Sequence, residues 1–282
     1  MVMSTARDRP EDLLGTARSA VRGRSGREGL QVLAAIGLVA RGLVYAVVGI
    51  LAFKVAIGAG GKTTSQPGAF RTVAQQPFGE ILLVALAIGL GAYAIWRVID
   101  GIAGSRPDED GALQRRVSAF GSAIAYAALC VTAVQVVAGA HASSGSPKPA
   151  AAGVLGWPGG PVIVAIAGLI GIGIGAYQGY KGIARTFLDD ARTERMAPGT
   201  EAAFTALGVI GHVARAVIFV LIGYGLAKAA IDYTAKSAVG LDGALQKLAH
   251  ASAGPLLLGM VALGFIAFAL YSIADARYHR VS

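Results

Sequence analysis

Six apolar runs, at about 33–57, 79–99, 117–139, 161–180, 204–230 and 255–274, leave this chain few folds. A run of roughly 20 apolar residues crosses the hydrocarbon core of a bilayer as one helix. A helix satisfies all its backbone polar groups internally, which the bilayer demands. A soluble helix of that length would carry a polar face, and these runs show almost none. Charged residues make up 15% of the chain, against about 25% in an ordinary soluble domain. The sequence predicts an all-α integral membrane protein with six transmembrane helices.

The runs are related in pairs. Residues 37–46 (GLVARGLVYA) place Arg41 inside the first run, and residues 208–220 (GVIGHVARAVIFV) place Arg215 inside the fifth, after the same Val-Ala. Residues 68–74 then match 243–249, and Gly79, Gly89, Tyr93, Trp96 and Asp100 match Gly254, Gly264, Phe268, Tyr271 and Asp275. The offset is 174 at the arginine and 175 at each later position, the mark of an internal repeat. A diverged third copy occupies about 117–185. There Ala125-Tyr126-Ala127 follows Val44-Tyr45-Ala46, and Gly173, Tyr177 and Tyr180 follow Gly89, Tyr93 and Trp96. The chain divides into a basic segment 1–29 and two-helix units at 30–104, 105–200 and 201–282. Three such hairpins suggest an approximate pseudo-threefold arrangement. The first segment reads equally as an amphipathic helix, with Leu13, Leu14, Ala17 and Val21 beside Arg18 and Arg22, or as a disordered tail.

A net charge of +9 would suggest nucleic acid in a soluble protein, but its distribution here argues otherwise. The N-terminal segment, the loops after the second and fourth runs and the tail hold sixteen Lys and Arg, against seven on the other side. The positive-inside rule puts both termini of this multi-pass protein in the cytoplasm. Its expected partners are the bilayer, anionic headgroups on the cytoplasmic side and another membrane protein; nucleic acid is not expected. Cys130 stands alone in an apolar run, so no disulfide framework or thiolate metal site is expected. No removable signal peptide is apparent.

Several motif-like stretches lack the context their chemistry needs. Gly58 to Thr63 loosely matches a phosphate-binding loop, but an apolar helix precedes it rather than a strand. The glycines around Gly171, Gly175 and Gly179 resemble a dinucleotide fingerprint, yet their spacing makes a small-residue face for close helix packing. His141, His212, His250 and His279 are scattered without acidic partners at ligand spacing. No nucleophile elbow or zinc-protease signature is present. The reading is therefore a non-enzyme without cofactor or metal. Residues 68–76, and their counterpart after 240, predict a short helix on the outer surface. The middle unit, rich in Gly and Pro from Lys148 to Pro161, predicts none there, with Trp157 as an interfacial anchor.

Arg41 and Arg215 are the unusual residues. An arginine inside a membrane helix is costly and asks for a partner. Asp100 and Asp275, near the cytoplasmic ends of the second helices, are candidates about five residues shallower. That gap is roughly 7–8 Å, within reach of a snorkelling arginine. In the middle unit Ser122 and Ala184 replace both charges together. Pairs Arg41–Asp100 and Arg215–Asp275 are expected, with exchange between units, Arg41–Asp275, as an alternative. They would fix helix register or line a polar mouth for an anion, a lipid headgroup or a conducted solute. His212, three residues before Arg215, reads as a packed histidine or a proton-linked one. Tyr93, Trp96, Tyr177, Tyr180, Phe268 and Tyr271 fit an inner aromatic belt or inter-unit packing.

The tandem units, the Ala-Arg-Gly-Leu-Val-Tyr opening at 40–45, Pro77-Phe78-Gly79 and the ending Ala274-Asp275-Ala276-Arg277-Tyr278 resemble the bacterial membrane family called domain of unknown function 1206. The resemblance covers about 30–280. It implies the three-unit membrane fold, in the bacterial inner membrane, and no particular reaction. The expected function is a non-catalytic membrane scaffold or accessory subunit; the alternative is a small-solute or ion conduit along the pseudosymmetry axis.

Overall fold

The structure is a computed structural model that describes residues 10–60, 63, 66–75, 79–103, 112–139 and 148–279; the side chains of 10–30 and a few further positions lie outside that description. Expectations placed on the basic N-terminal side chains, Gly61-Lys62, Pro77-Phe78 and His141 therefore fall outside the described residues. All regular elements among those described are helical. Six are long: α1 (Pro10–Ala56), α3 (Gly79–Ala103), α4 (Ala112–Val137), α6 (Gly160–Ile183), α7 (Pro198–Ile231) and α9 (Gly254–Tyr278). Each is long and apolar enough to span a bilayer, α1 through its part Ala34–Ala56. Three are short: α2 (Gln66–Ala74), α5 (Lys148–Leu155) and α8 (Leu241–Ala249).

Helices α2 and α8 stand where the repeat predicts surface helices. Helix α5 corrects the expectation that the middle unit has none. Its Lys-Pro-Ala-Ala-Ala start puts proline in the first turn, where no amide partner is needed, and follows it with the best helix former. The breaking residues come later: Gly159 takes a left-handed φ of 76° before α6, and Pro161 opens that helix. Trp157 sits in this turn, exposed.

The second helix of each unit packs on the first helix of the next: α3 on α4, α6 on α7, and α9 back on α1. This cyclic rule is the pseudo-threefold relation in physical form. Within units, α1 packs on α3 and α7 on α9, but among the described residues α4 and α6 make no sustained contact. The bundle is thus an incomplete ring with a seam in the middle unit. Across the joint between the second and third units, Gln178 of α6 turns its amide to Arg215 of α7. Helix α9 is the most buried span and α4 the least.

Small residues bring the backbones together. A Cβ on Gly42 would lie 2.9 Å from the Ala269 carbonyl oxygen, and one on Gly49 3.0 Å from that of Ala262. Between α6 and α7, a Cβ on Gly171 would meet Gly223 Cα at 3.0 Å, and one on Gly175 would meet Val220 at 2.7 Å. Gly179 is looser, with Ala216 at 3.5 Å. Beyond these contacts, Val48, Ile218, Leu245, Leu258 and Phe265 form a core joining α1, α7, α8 and α9.

The α6–α7 loop folds onto the bundle. Phe187 is fully buried and fills the space a side chain at Gly208 would take. The Arg192 amide donates to the Tyr278 carbonyl at 2.8 Å, holding the loop against the end of α9. Lys181 pairs with Asp190 at 2.8 Å. Burial works to raise the Asp190 carboxyl, but the Lys181 ammonium outweighs it and holds the group below its usual value. A depressed carboxyl stabilises the fold above its unfolded pKa of ~4, and that contribution is lost as pH falls through the native value. Asp190→Asn is expected to lower stability at pH 7 by less than about 1 kcal/mol, and to flatten the acid-side loss seen in thermal unfolding from pH 6 to 3.

Candidate functional site

Arg41 lies on the face of α1 that meets α9. Its Nη2 is 3.5 Å from Asp275 Oδ2. Its Nε donates to Ser272 Oγ at 3.2 Å, and Nη1 to Tyr93 Oη at 3.4 Å. The guanidinium also stacks 5.1 Å from the Phe268 ring centre. One side chain therefore ties α1 to α9 of the third unit and to α3 of its own. The other Asp275 oxygen faces His279 Nδ1 at 3.2 Å, and the His279 ring meets the edge of Trp96.

The ion pair thus crosses between units, and the within-unit pairing Arg41–Asp100 is not the one formed. Asp100 takes Arg97 of its own helix at 3.1 Å. The reason is the packing: glycines at 42 and 49 let α9 approach α1 closely, so Asp275 reaches Arg41. With Asp275 engaged there, Arg215 has a different environment. Its guanidinium lies 4.4 Å from the Phe268 ring centre, 5.3 Å from Tyr45 and 5.7 Å from Phe219. The Gln178 amide, assigned with its oxygen toward the arginine, stands 2.9 Å from Nη1 and Nη2 and 3.3 Å from Nε. Among the described residues no carboxylate lies within ion-pair distance of Arg215.

The site draws on all six long helices: Arg41 and Tyr45, Tyr93, Tyr126, Gln178, Arg215, then Phe268, Ser272 and Asp275. Tyr93 and Tyr126 meet edge to face at 4.4 Å. Tyr45, Tyr126, Gln178 and Ser272 were not foreseen as members. A signal existed for the tyrosines, which stand four residues after Arg41 and Ser122 and so share a helix face with them. Gln178 is the one amide in the α6 span.

The other expected residues separate. His212 is buried, donates from Nδ1 to the Gly208 carbonyl at 2.7 Å and stacks on Phe187 at 5.1 Å. Phe268 and Tyr271 close its other sides, the arrangement of a packed histidine. The aromatic set does not form one belt. Tyr93, Trp96, Phe268 and Tyr271 are buried, whereas Tyr177 and Tyr180 face outward. The cause is the seam: α6 lacks the neighbour within its unit that α3 and α9 have.

Among the described residues no group of three His, Cys, Asp or Glu is placed to hold a metal ion. A shallow groove of about 650 Å³ lies at the start of α7, lined by Arg185, Glu201, Thr205, Val209 and Ile210 among others.

Residues 36–104, 117–185 and 210–279 each match the family described as Domain of Unknown Function (DUF1206). The protein called "Uncharacterized protein YxxB" from Bacillus subtilis (strain 168) is 32% identical over 249 residues, 88% of this chain and 90% of that one. No solved structure matches. The three matched segments start at 36, 117 and 210, each five residues before Arg41, Ser122 or Arg215, so each holds one copy of the helix pair that builds the ring. The chain belongs to the DUF1206 family, as three copies of its repeat in one polypeptide.

Proposed function

We propose that this protein is a non-catalytic scaffold or accessory subunit of the bacterial inner membrane, with both termini in the cytoplasm. The observation that carries this reading is the use of Arg41. Its guanidinium bonds to Asp275, Ser272 and Tyr93, so the most costly residue of the span holds units together. Glycine-lined contacts between helices support the same reading, since they close the spaces a conduit would need. The orientation rests on the basic loops, whose positive charge would meet anionic headgroups on the cytoplasmic side.

The test is ion and small-solute flux through purified protein in liposomes, with native-membrane co-purification beside it. The expected result is no flux from well-folded protein and a membrane partner recovered in stoichiometric amount. A conduit is the second reading, favoured by the seam between α4 and α6. Flux that Arg215→Ala alters without unfolding the protein would put that reading first.

A further inference from the structure

We infer that Arg215, with Gln178 beside the α4–α6 seam, forms a binding site for a singly charged phosphate-class oxyanion. The first argument is charge. Arg41 and Asp275 neutralise one another, as do Arg97 and Asp100. Arg215 adds a positive charge that only an amide and aromatic faces meet among the described residues. A guanidinium cannot shed its proton, and a charge inside a bilayer asks for a counter-charge.

The second argument is hydrogen bonding. A guanidinium has five N–H donors and an amide oxygen two lone pairs. Gln178 takes one from each of Nη1, Nη2 and Nε, which leaves two donors of Arg215 for another acceptor. Its fork suits an oxyanion with two oxygens, which a halide does not offer. Gln178 is itself 92% buried by its 8% exposure, and its oxygen is turned to the guanidinium. It orients the arginine without neutralising it.

The third argument is access. Among the described residues helices α4 and α6 make no sustained contact, while Arg215 is only half-buried. An anion can approach between these helices without breaking a packed interface. A phosphodiester headgroup carries the single negative charge that Arg215 lacks, and inorganic phosphate shares its chemistry. The site goes beyond the scaffold reading and does not depend on it.

The experiment measures binding to the full-length protein in neutral detergent, by thermal shift and by native mass spectrometry. The probes are phosphatidylglycerol, phosphatidylcholine and inorganic phosphate. Phosphatidylglycerol or inorganic phosphate is expected to stabilise the wild type, and phosphatidylcholine is not. A response to the first alone identifies a lipid ligand, and a response to the second identifies a soluble one. Arg215→Gln is expected to weaken binding about tenfold or more, the loss of charge-assisted hydrogen bonds. Gln178→Leu is expected to weaken it less, and Arg195→Gln, on the α6–α7 loop, to leave it unchanged. The inference is overturned if neither anionic probe stabilises the wild type. It is equally overturned if folded Arg215→Gln binds as tightly, or if Arg195→Gln costs as much as Arg215→Gln.

Discussion

Asp275→Asn is expected to destabilise the protein by about 3–5 kcal/mol, the loss seen when one partner of a buried ion pair is removed. The carboxylate is 4% exposed and holds Arg41 on one oxygen and His279 on the other. Asparagine keeps the shape and removes the charge, so the Arg41 guanidinium stays among Phe268, Tyr93 and Ser272 with no counter-ion. Arg41→Met is expected to have a similar effect, leaving Asp275 uncompensated. The double variant Arg41→Met, Asp275→Leu is expected to recover much of the loss, because an apolar pair leaves no charge buried. Thermal unfolding of the four proteins in mild detergent gives the coupling directly. Additive losses would show that the two side chains do not depend on one another.

The second large effect belongs to Gly223. A Cβ there would stand 2.6 Å from the Gly168 carbonyl oxygen and 2.9 Å from the Gly171 carbonyl carbon. Both are backbone atoms of α6, so no rotamer change relieves the clash. Gly223→Leu is expected to cost about 3 kcal/mol or more, at the upper end for overpacking, and to detach α6 from α7. Gly173 is the internal control. It lies on the same helix as Gly168 with nothing within 4 Å of the position a Cβ would take. Gly173→Ala is expected to be neutral or stabilising by up to about 1 kcal/mol through helix propensity. Equal melting temperatures for the two variants would mean that the glycine contacts do not hold these helices together.

The fold was legible because its two strongest determinants are written locally. Apolar length specifies a span without reference to any other residue, and the constant offset between Arg41 and Arg215 specifies a repeat. The glycine stripe on α6 was legible for the same reason, since spacing on one helix defines a face. Its partner Gly223 was not, because nothing in α6 says which helix it meets. The ion pair shows the boundary most clearly. Spacing brought Arg41 and Asp275 into one set of candidates, but choosing Asp275 over Asp100 required the distance between α1 and α9. That distance is decided by Gly42 and Gly49 against a helix at the other end of the chain. Helix α5 failed for a different reason: Gly and Pro were counted over Lys148 to Pro161 as one stretch, whereas they divide into an alanine-rich helix and the turn after it.

The pairing of α1 with α9 also decides when this protein can be finished. Ser272, which accepts from Arg41, lies 231 residues beyond it. At ribosomal rates of about 5–20 residues per second that is on the order of 10–50 s of synthesis. During that interval the first span sits in the bilayer with an arginine whose counter-charge does not yet exist. A chain cut short anywhere before α9 keeps that charge exposed. The last helix therefore completes the first: only a chain that has reached Ser272 and Asp275 can close the bonds that Arg41 makes in the finished fold.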